Sequence, residues 1–350
     1  MKLTFDTLIK KFNEKNFKKM IYIVNKSNKP DFNISLEEYC FKNFTKYDKI
    51  FILWINEPSI IVGKNQNTQA EINEKFVQEN GIHVVRRISG GGAVYHDLNN
   101  LNYTIISNEN SESRTFDFKA FSEPVIQTLK ELGVEAEFSG RNDITIDGKK
   151  ISGNAQAYID GRVMHHGCIL FDVDLTVLQK ALETSTEVVE AKGVKSVRSR
   201  VDNILPNLTE KITVTGFADK ILDQMKKKYP EMTEYEFSEN ELKAIEKTRK
   251  EKFGNWAWNY GSNPVAEIVR NRRYPAGKTQ VFINTKKGVI EDITFFGTFF
   301  GVISDLTEVQ NLLKGVKYDQ YDVSKALAAI DTTPYFAGFS IEELTDAIVG

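Results

Sequence analysis

Short runs of apolar residues at period two alternate with longer stretches in which apolar residues recur every three to four positions, a pattern that predicts a mixed α/β protein. Met20-Ile-Tyr-Ile-Val-Asn opens with strand-forming character. Ser35, followed three residues later by Glu38 and with Leu36, Cys40 and Phe44 at four-residue spacing, predicts a capped amphipathic helix. Phe51 to Ile55 and Ser59 to Val62 predict strands separated by a Glu57-Pro58 turn. Val84 to Ile88 predicts a strand that delivers a glycine loop, and Leu101 to Ser107 the next strand. Over Phe118 to Leu132, the residues Phe121, Val125, Leu129 and Leu132 share one helical face. Gly133 supplies the stop, and Pro124 either kinks this helix or marks its first turn.

Asp147-Gly148 and Asp160-Gly161 each stand between strand-like runs, so the middle of the chain is expected to be an antiparallel meander. A two-residue turn at Asp147-Gly148 sets Ile146 opposite Lys149 and Thr145 opposite Lys150. Beyond Val194, helices alternate with polar joins. Asn255 to Asn263, with two Trp, a Tyr and a Gly before Pro264, reads as an inter-domain connection. From Pro264 the pattern predicts a helix, a hairpin around Lys286-Lys287-Gly288 and short helices, the last opened by a capping box from Ser340 to Glu343. The expected division is an extension over 1–19, a large domain over 20–254, a linker over 255–263 and a small α/β module over 264–350.

Composition narrows the function classes. In 350 residues the apolar fraction is 41%, the charged fraction 27% and the net charge −2, which fits an ordinary globular protein and disfavours bulk electrostatic binding to nucleic acid or an anionic membrane. Cys40 and Cys168 lie in apolar segments without metal-ligand spacing and read as reduced, buried thiols of a cytoplasmic protein. No apolar run approaches the ~20 residues that span a bilayer. Residues 1–19 mix Lys with isolated apolar side chains, unlike a secretory signal, and read as an appended segment.

The most specific run is Arg86-Arg87-Ile88-Ser89-Gly90-Gly91-Gly92-Ala93-Val94-Tyr95-His96-Asp97. Two guanidinium forks and three glycines suit an anion site: the forks hold oxygens at two points, and backbone N–H groups free of a Cβ approach closely. A second constellation flanks the first hairpin. Gly140-Arg141-Asn142-Asp143 precedes it, and Lys149-Lys150-Ile151-Ser152-Gly153-Asn154-Ala155-Gln156 returns from it. Asp143 with Asn142 could hold Mg²⁺, which takes few carboxylates plus phosphate oxygens and water. His165 and His166 point to opposite faces of a strand, so at most one joins the site.

Together these segments resemble the lipoate-protein ligase family, from about Met20 to the C-terminus, including the Trp54 to Gly63 stretch and Val197-Arg198-Ser199-Arg200-Val201. The resemblance implies a biotin and lipoate ligase-like catalytic domain, a mixed sheet flanked by helices, with an accessory C-terminal domain. It implies that lipoate and ATP give lipoyl-AMP and pyrophosphate, and that the acyl group then passes to a lysine. The acceptor would be a lipoyl carrier domain of a 2-oxoacid dehydrogenase complex, or the glycine cleavage carrier protein. A cytoplasmic monomer, without nucleic acid or membrane as partner, completes the expectation.

By the same resemblance Lys150 would set its charge between the acyl carboxylate and the α-phosphate. Arg87 and Ser89, with the amides of Gly90 and Gly91, would hold the adenylate and the acyl end. Gly92, Ala93, Val94 and Tyr95 would meet adenine, and Ser152, Gly153 and Ala155 would complete the binding surface. Asn142 and Asp143 would bind phosphate and Mg²⁺, His166 would lie beside the acyl group, and Trp54 would wall the lipoyl tunnel. Asn99 departs from the Gly usual after His-Asp-Leu. Two alternatives are a transferase using Cys168 as nucleophile and a non-catalytic sensor of the adenylate. The residues themselves name no base for the acyl-transfer step.

Overall fold

The computed structural model describes residues 19–108, 117–140, 142–182, 201–260 and 267–350. The expected extension apart from Lys19, Arg141, and Val197 to Arg200 therefore lie outside the described residues. In chain order the strands are β1 (Met20–Val24), β2 (Lys49–Ile55), β3 (Ser59–Val62), β4 (His83–Arg86), β5 (Val94–His96), β6 (Asn100–Asn108), β7 (Glu137–Ser139), β8 (Asp143–Ile146), β9 (Lys149–Ile159), β10 (Arg162–Leu170), β11 (Thr233–Glu234), β12 (Ile268–Tyr274), β13 (Gly277–Lys286) and β14 (Val289–Gly297). The principal helices are α1 (Pro30–Asn43), α2 (Glu74–Glu79), α3 (Phe118–Glu131), α4 (Leu175–Leu182), α5 (Val214–Lys228), α6 (Glu239–Thr248), α7 (Trp256–Asn259), α8 (Thr307–Leu313), α9 (Gln320–Leu327) and α10 (Ile341–Val349).

A mixed sheet in the order β11-β1-β2-β6-β10-β9-β8-β7 forms the body. β1 runs parallel to β2 and β11, and the remaining pairs are antiparallel. Both Asp-Gly turns close as expected, Asp147 and Asp160 taking positive φ ahead of Gly148 and Gly161. Alternation along each strand sorts the two faces. Phe51, Leu53, Tyr103, Ile105 and Ile169 pack against Val125 and Leu129 of α3 and Phe217 and Ile221 of α5. Ile50, Ile52, Trp54, Ile106 and Met164 pack on the other side against Ile34, Phe41 and Ile245.

Ser59–Val62 pairs with His83–Arg86 and Val94–His96 in a separate sheet, order β4-β3-β5, although only the Glu57-Pro58 turn separates it from β2. Its outer face, with Ile60, Val62 and Tyr95, packs on α2 and α4 residues such as Val77 and Leu178. Ile61 and Val94 turn inward onto the second face of the large sheet. The C-terminal unit, β12-β13-β14 under α8 to α10, has its own core around Val281, Phe299, Phe336 and Leu344.

Three expectations are corrected. The first helix begins at Pro30, whose ring fixes the φ of a first turn, and Lys29 is its N-cap. Ser35 lies inside it, its hydroxyl donating to Asp31 O. Pro124 sits in the interior of α3 rather than its first turn. The segment after Pro264 is the strand β12 where it is described, its side chains alternating half-buried and exposed. Within the expected connection, Asn259 and Trp258 dock on Arg86 through main-chain and side-chain bonds. No helix among the described residues is long and apolar enough to cross a membrane.

Candidate functional site

The inner face of the small sheet and the second face of the large one form the walls of a cavity that opens to solvent. Ile61, Val94 and His96 line it from above. Trp54, Asn102, Cys168, His166, Ala155 and Gly153 form its floor, Ile34 closes one side, and Asn142 and Lys150 stand at another. The floor is a row across four strands, because Trp54 pairs with Asn102, Asn102 with Cys168 and Cys168 with Gly153.

Lys150 reaches this face through a β-bulge. Asp143 pairs with Gly153 and Ile144 with Ser152, but Thr145 then pairs with Lys150, leaving Ile151 as an extra residue in β9. Strict alternation would place Lys150 and Gly153, three apart, on opposite faces; the inserted residue brings them to the same one. The lysine folds over the glycine so closely that a Cβ on Gly153 would meet Nζ and Cε at 2.9 Å. Its Nζ lies 2.8 Å from Asp143 Oδ1, with both side chains about one-third exposed. Asn142 donates Nδ2 to Asn154 O at 2.5 Å, which leaves its amide oxygen as an acceptor.

The arginine pair does something other than the sequence suggests. Arg86 is buried and donates to the carbonyls of Gly63, Lys64, Gln66, Trp258 and Asn259 and to Thr68 Oγ1. It ties loop to loop and offers nothing to an anion. Arg87 lines the cavity, yet its fork donates to Ser89 Oγ and to the carbonyls of Ile61, Gly90 and Gly92. Burial without an acidic partner lowers both guanidinium pKa values to about 10. The glycine loop is thus shaped from inside by Arg87 and from outside by the C-terminal unit. A Cβ on Gly90 would meet Phe299 O at 2.6 Å, and Gly91 takes φ +92° against the Phe300 ring.

His166 shares the cavity and His165 does not. His165 bonds to Gln156 on the opposite face and stacks on Phe121. His166 sits in a buried line, Nδ1 toward Glu37 at 3.0 Å and Nε2 toward Ser89 Oγ at 2.6 Å. This has the order of a hydrolytic triad, but Ser89 is 1% exposed, does not line the cavity and accepts from Arg87 Nε, so its hydroxyl positions the histidine. Cys168 lines the floor, its thiol pKa raised by burial and its Sγ 3.6 Å from Gly153 O, the state of an unreactive thiol.

Of the predicted residues, Trp54, Arg87, Gly91, Gly92, Ala93, Val94, Asn142, Lys150, Gly153, Ala155 and His166 meet around the one cavity. Ser89 and Asp143 touch it through His166 and Lys150, and Gly90 lies beneath the loop. Tyr95 is corrected: between inward Val94 and His96, its ring points into the outer core. Ser152 is corrected likewise, buried between Ile144 and Ile169 of the opposite face. Sequence reasoning missed Glu37, Asn102 and His96; for His96, alternation from Val94 would have found it.

The model of the lipoyl protein ligase A/B catalytic domain matches residues 29–226, and that of the bacterial lipoate protein ligase C-terminus matches 263–348. The chain is 44% identical over 332 residues to the lipoate-protein ligase LplJ of Bacillus subtilis, covering 94% of this chain and 100% of the relative. Among solved structures, P. falciparum LipL1 in complex with lipoate superposes with a TM-score of 0.78 at 26% identity, covering 94% of this chain and 99% of that one. A lipoate-protein ligase A bound with ATP shares the fold at TM-score 0.61 and 23% identity, covering 69% and 99%.

Proposed function

The chain belongs to the lipoate-protein ligase family, and we propose that Lys150 supplies the charge on which its adenylation step turns. The protein is an ATP-dependent lipoate-protein ligase. A carboxylate oxygen of lipoate attacks the α-phosphorus, the bond to pyrophosphate breaks, and an acceptor amine later attacks the acyl carbon with AMP as leaving group. In the first step negative charge gathers between two anions, where a compact, positioned ammonium is worth most.

One observation carries this reading: the Lys150 amine and the Gly91 to Val94 loop line a single cavity that is also walled by Trp54, Ile34 and Ile61. That slot suits a C8 chain, at ~0.8 kcal/mol for each methylene buried. Loop amides would meet the adenylate, with Arg87 acting through the loop it braces. Asp143 and Asn142, a carboxylate and an amide oxygen, suit a Mg²⁺ that would keep most of its water and take phosphate oxygens. That ion would neutralise phosphate oxygens. The acceptor we propose is a lysine on a lipoyl domain of a 2-oxoacid dehydrogenase complex or on the glycine cleavage carrier. Two free, buried cysteines favour the cytoplasm as the site of action.

The test is pyrophosphate release from lipoate and ATP, followed by the mass of an added lipoyl domain. Wild type should add one lipoyl group, and Lys150→Ala should abolish release while still binding lipoate. Undiminished turnover in Lys150→Ala would overturn the assignment.

A further inference from the structure

His96 holds a buried proton with nothing to receive it. The ring is 3% exposed, lines the cavity and meets Trp54 edge-on at 6.1 Å between centroids. Its tautomer follows from main-chain anchors. Asn33 Nδ2 faces Ser27 O at 2.9 Å and Ile55 O at 3.2 Å, and carbonyls only accept, so the Asn33 amide is oriented. Asn56 Oδ1 lies 2.9 Å from the same Nδ2, whose two hydrogens are shared among the three oxygens; a nitrogen there would set donor against donor, so Asn56 turns its Nδ2 to His96 Nδ1 at 3.1 Å. Nδ1 therefore accepts, and the ring proton sits on Nε2. Among the described residues Nε2 has no partner. Asn56 does not line the cavity, so the free edge of the ring is the one turned toward it.

Asn102 adds a second open polar group: its side-chain amide meets that of Asn100 at 2.8 Å, and its other amide atom, on a residue 1% exposed in the cavity floor, is unpartnered among the described residues. Both groups lie away from Lys150. Gly153 and Trp54 are separated by three strand spacings in the floor row, roughly 14 Å. An eight-carbon acid anchored by its carboxylate at Lys150 extends its tail along that row toward Asn102, Trp54 and His96.

We propose that His96 Nε2–H, beside the open amide of Asn102, recognises a ring sulfur of lipoate and makes this pocket select lipoate over octanoate; the proposal rests on the ligase reading. Octanoate has the same length but ends in a methyl group, which leaves the buried His96 donor unpaired. A dithiolane sulfur, a weak acceptor, satisfies it. Asn56 is then a positioning residue, because it decides which ring nitrogen holds the proton.

The experiment compares kcat/KM for lipoate and octanoate in pyrophosphate release. Wild type should prefer lipoate, and His96→Phe, which keeps a ring and removes the donor, should lower that ratio roughly three- to tenfold. A ratio within twofold of wild type overturns the proposal. Asn56→Asp, whose carboxylate accepts from Nδ1–H, should move the proton off Nε2 and lower the ratio without touching the cavity lining. Imidazole ¹⁵N resonances read the tautomer directly, also if His96→Phe fails to fold, and an Nδ1–H ring in wild type overturns the proposal. Absence of wild-type pyrophosphate release with either acid would count against the ligase reading instead. The Nε2–H resonance, displaced by lipoate and not by octanoate, would still decide the contact.

Discussion

Gly153→Ala separates the position of the Lys150 charge from its presence. The new methyl would sit 2.9 Å from Nζ and Cε of Lys150, and the next nearest atom, Cys168 Sγ, is at an ordinary 3.9 Å. The strand accommodates it, since Gly153 is not among the residues with positive φ. What must move is the tip of a flexible side chain, by about 0.5 to 1 Å to regain ordinary contact, and a displacement of about 1 Å from productive geometry can lower a rate about 10²-fold. The expected fall in kcat/KM for pyrophosphate release is therefore about 10- to 100-fold, or about 1.4 to 2.7 kcal/mol of transition-state stabilisation. Folding stability should hold or rise by up to about 1 kcal/mol, because alanine restricts the unfolded chain. Thermal unfolding and steady-state kinetics on the same sample read both quantities. Turnover within twofold of wild type would show that the ammonium need not stand where the structure sets it.

Three further outcomes follow from the described contacts. Arg86→Lys strips a planar fork from six acceptors and should lower stability by about 3 kcal/mol or more, with activity tracking the folded fraction in urea; a stable variant with a raised KM for ATP would restore the anion-site reading. His96 and His165 are held neutral by burial, His96 down to about 3 and His165 well below its ordinary value. The unfolded chain therefore binds more protons below about pH 6.5, so stability is complete above that pH and falls beneath it by up to ~1.4 kcal/mol per unit for each ring; urea midpoints from pH 7.5 to 5 should show this, and His96→Phe should remove one proton from the slope. Cys168→Ser should leave ligation within a few-fold of wild type, whereas a folded, inactive variant would point to a thioester intermediate.

Features governed by local chemistry were legible in the chain. The Asp-Gly turns, the opposite facing of His165 and His166, the Gly133 stop and the Ser340 capping box all follow from one or two residues and recur in the structure. Period-two patterns named strands without naming their sheet, so the departure of Ser59–Val62 into a second sheet was invisible. The paired arginines misled because a buried guanidinium serves carbonyls as well as phosphates, and only packing tells which. The segment after Pro264 was misread as a helix, because the alternation of a half-exposed edge strand is weak. The unpaired donor on His96 depends on Asn33 and Asn56, residues distant in sequence.

A pleated strand keeps count by parity, assigning odd positions to one side and even positions to the other. Ile151 is an uneven tally in β9, and Lys150 and Gly153, on either side of it, agree only because the count is off by one. Ironing out that bulge with every residue kept would restore strict parity and turn the ammonium away from the chamber, whereas removing Ile151 would leave Lys150 two positions from Gly153 and still on its side.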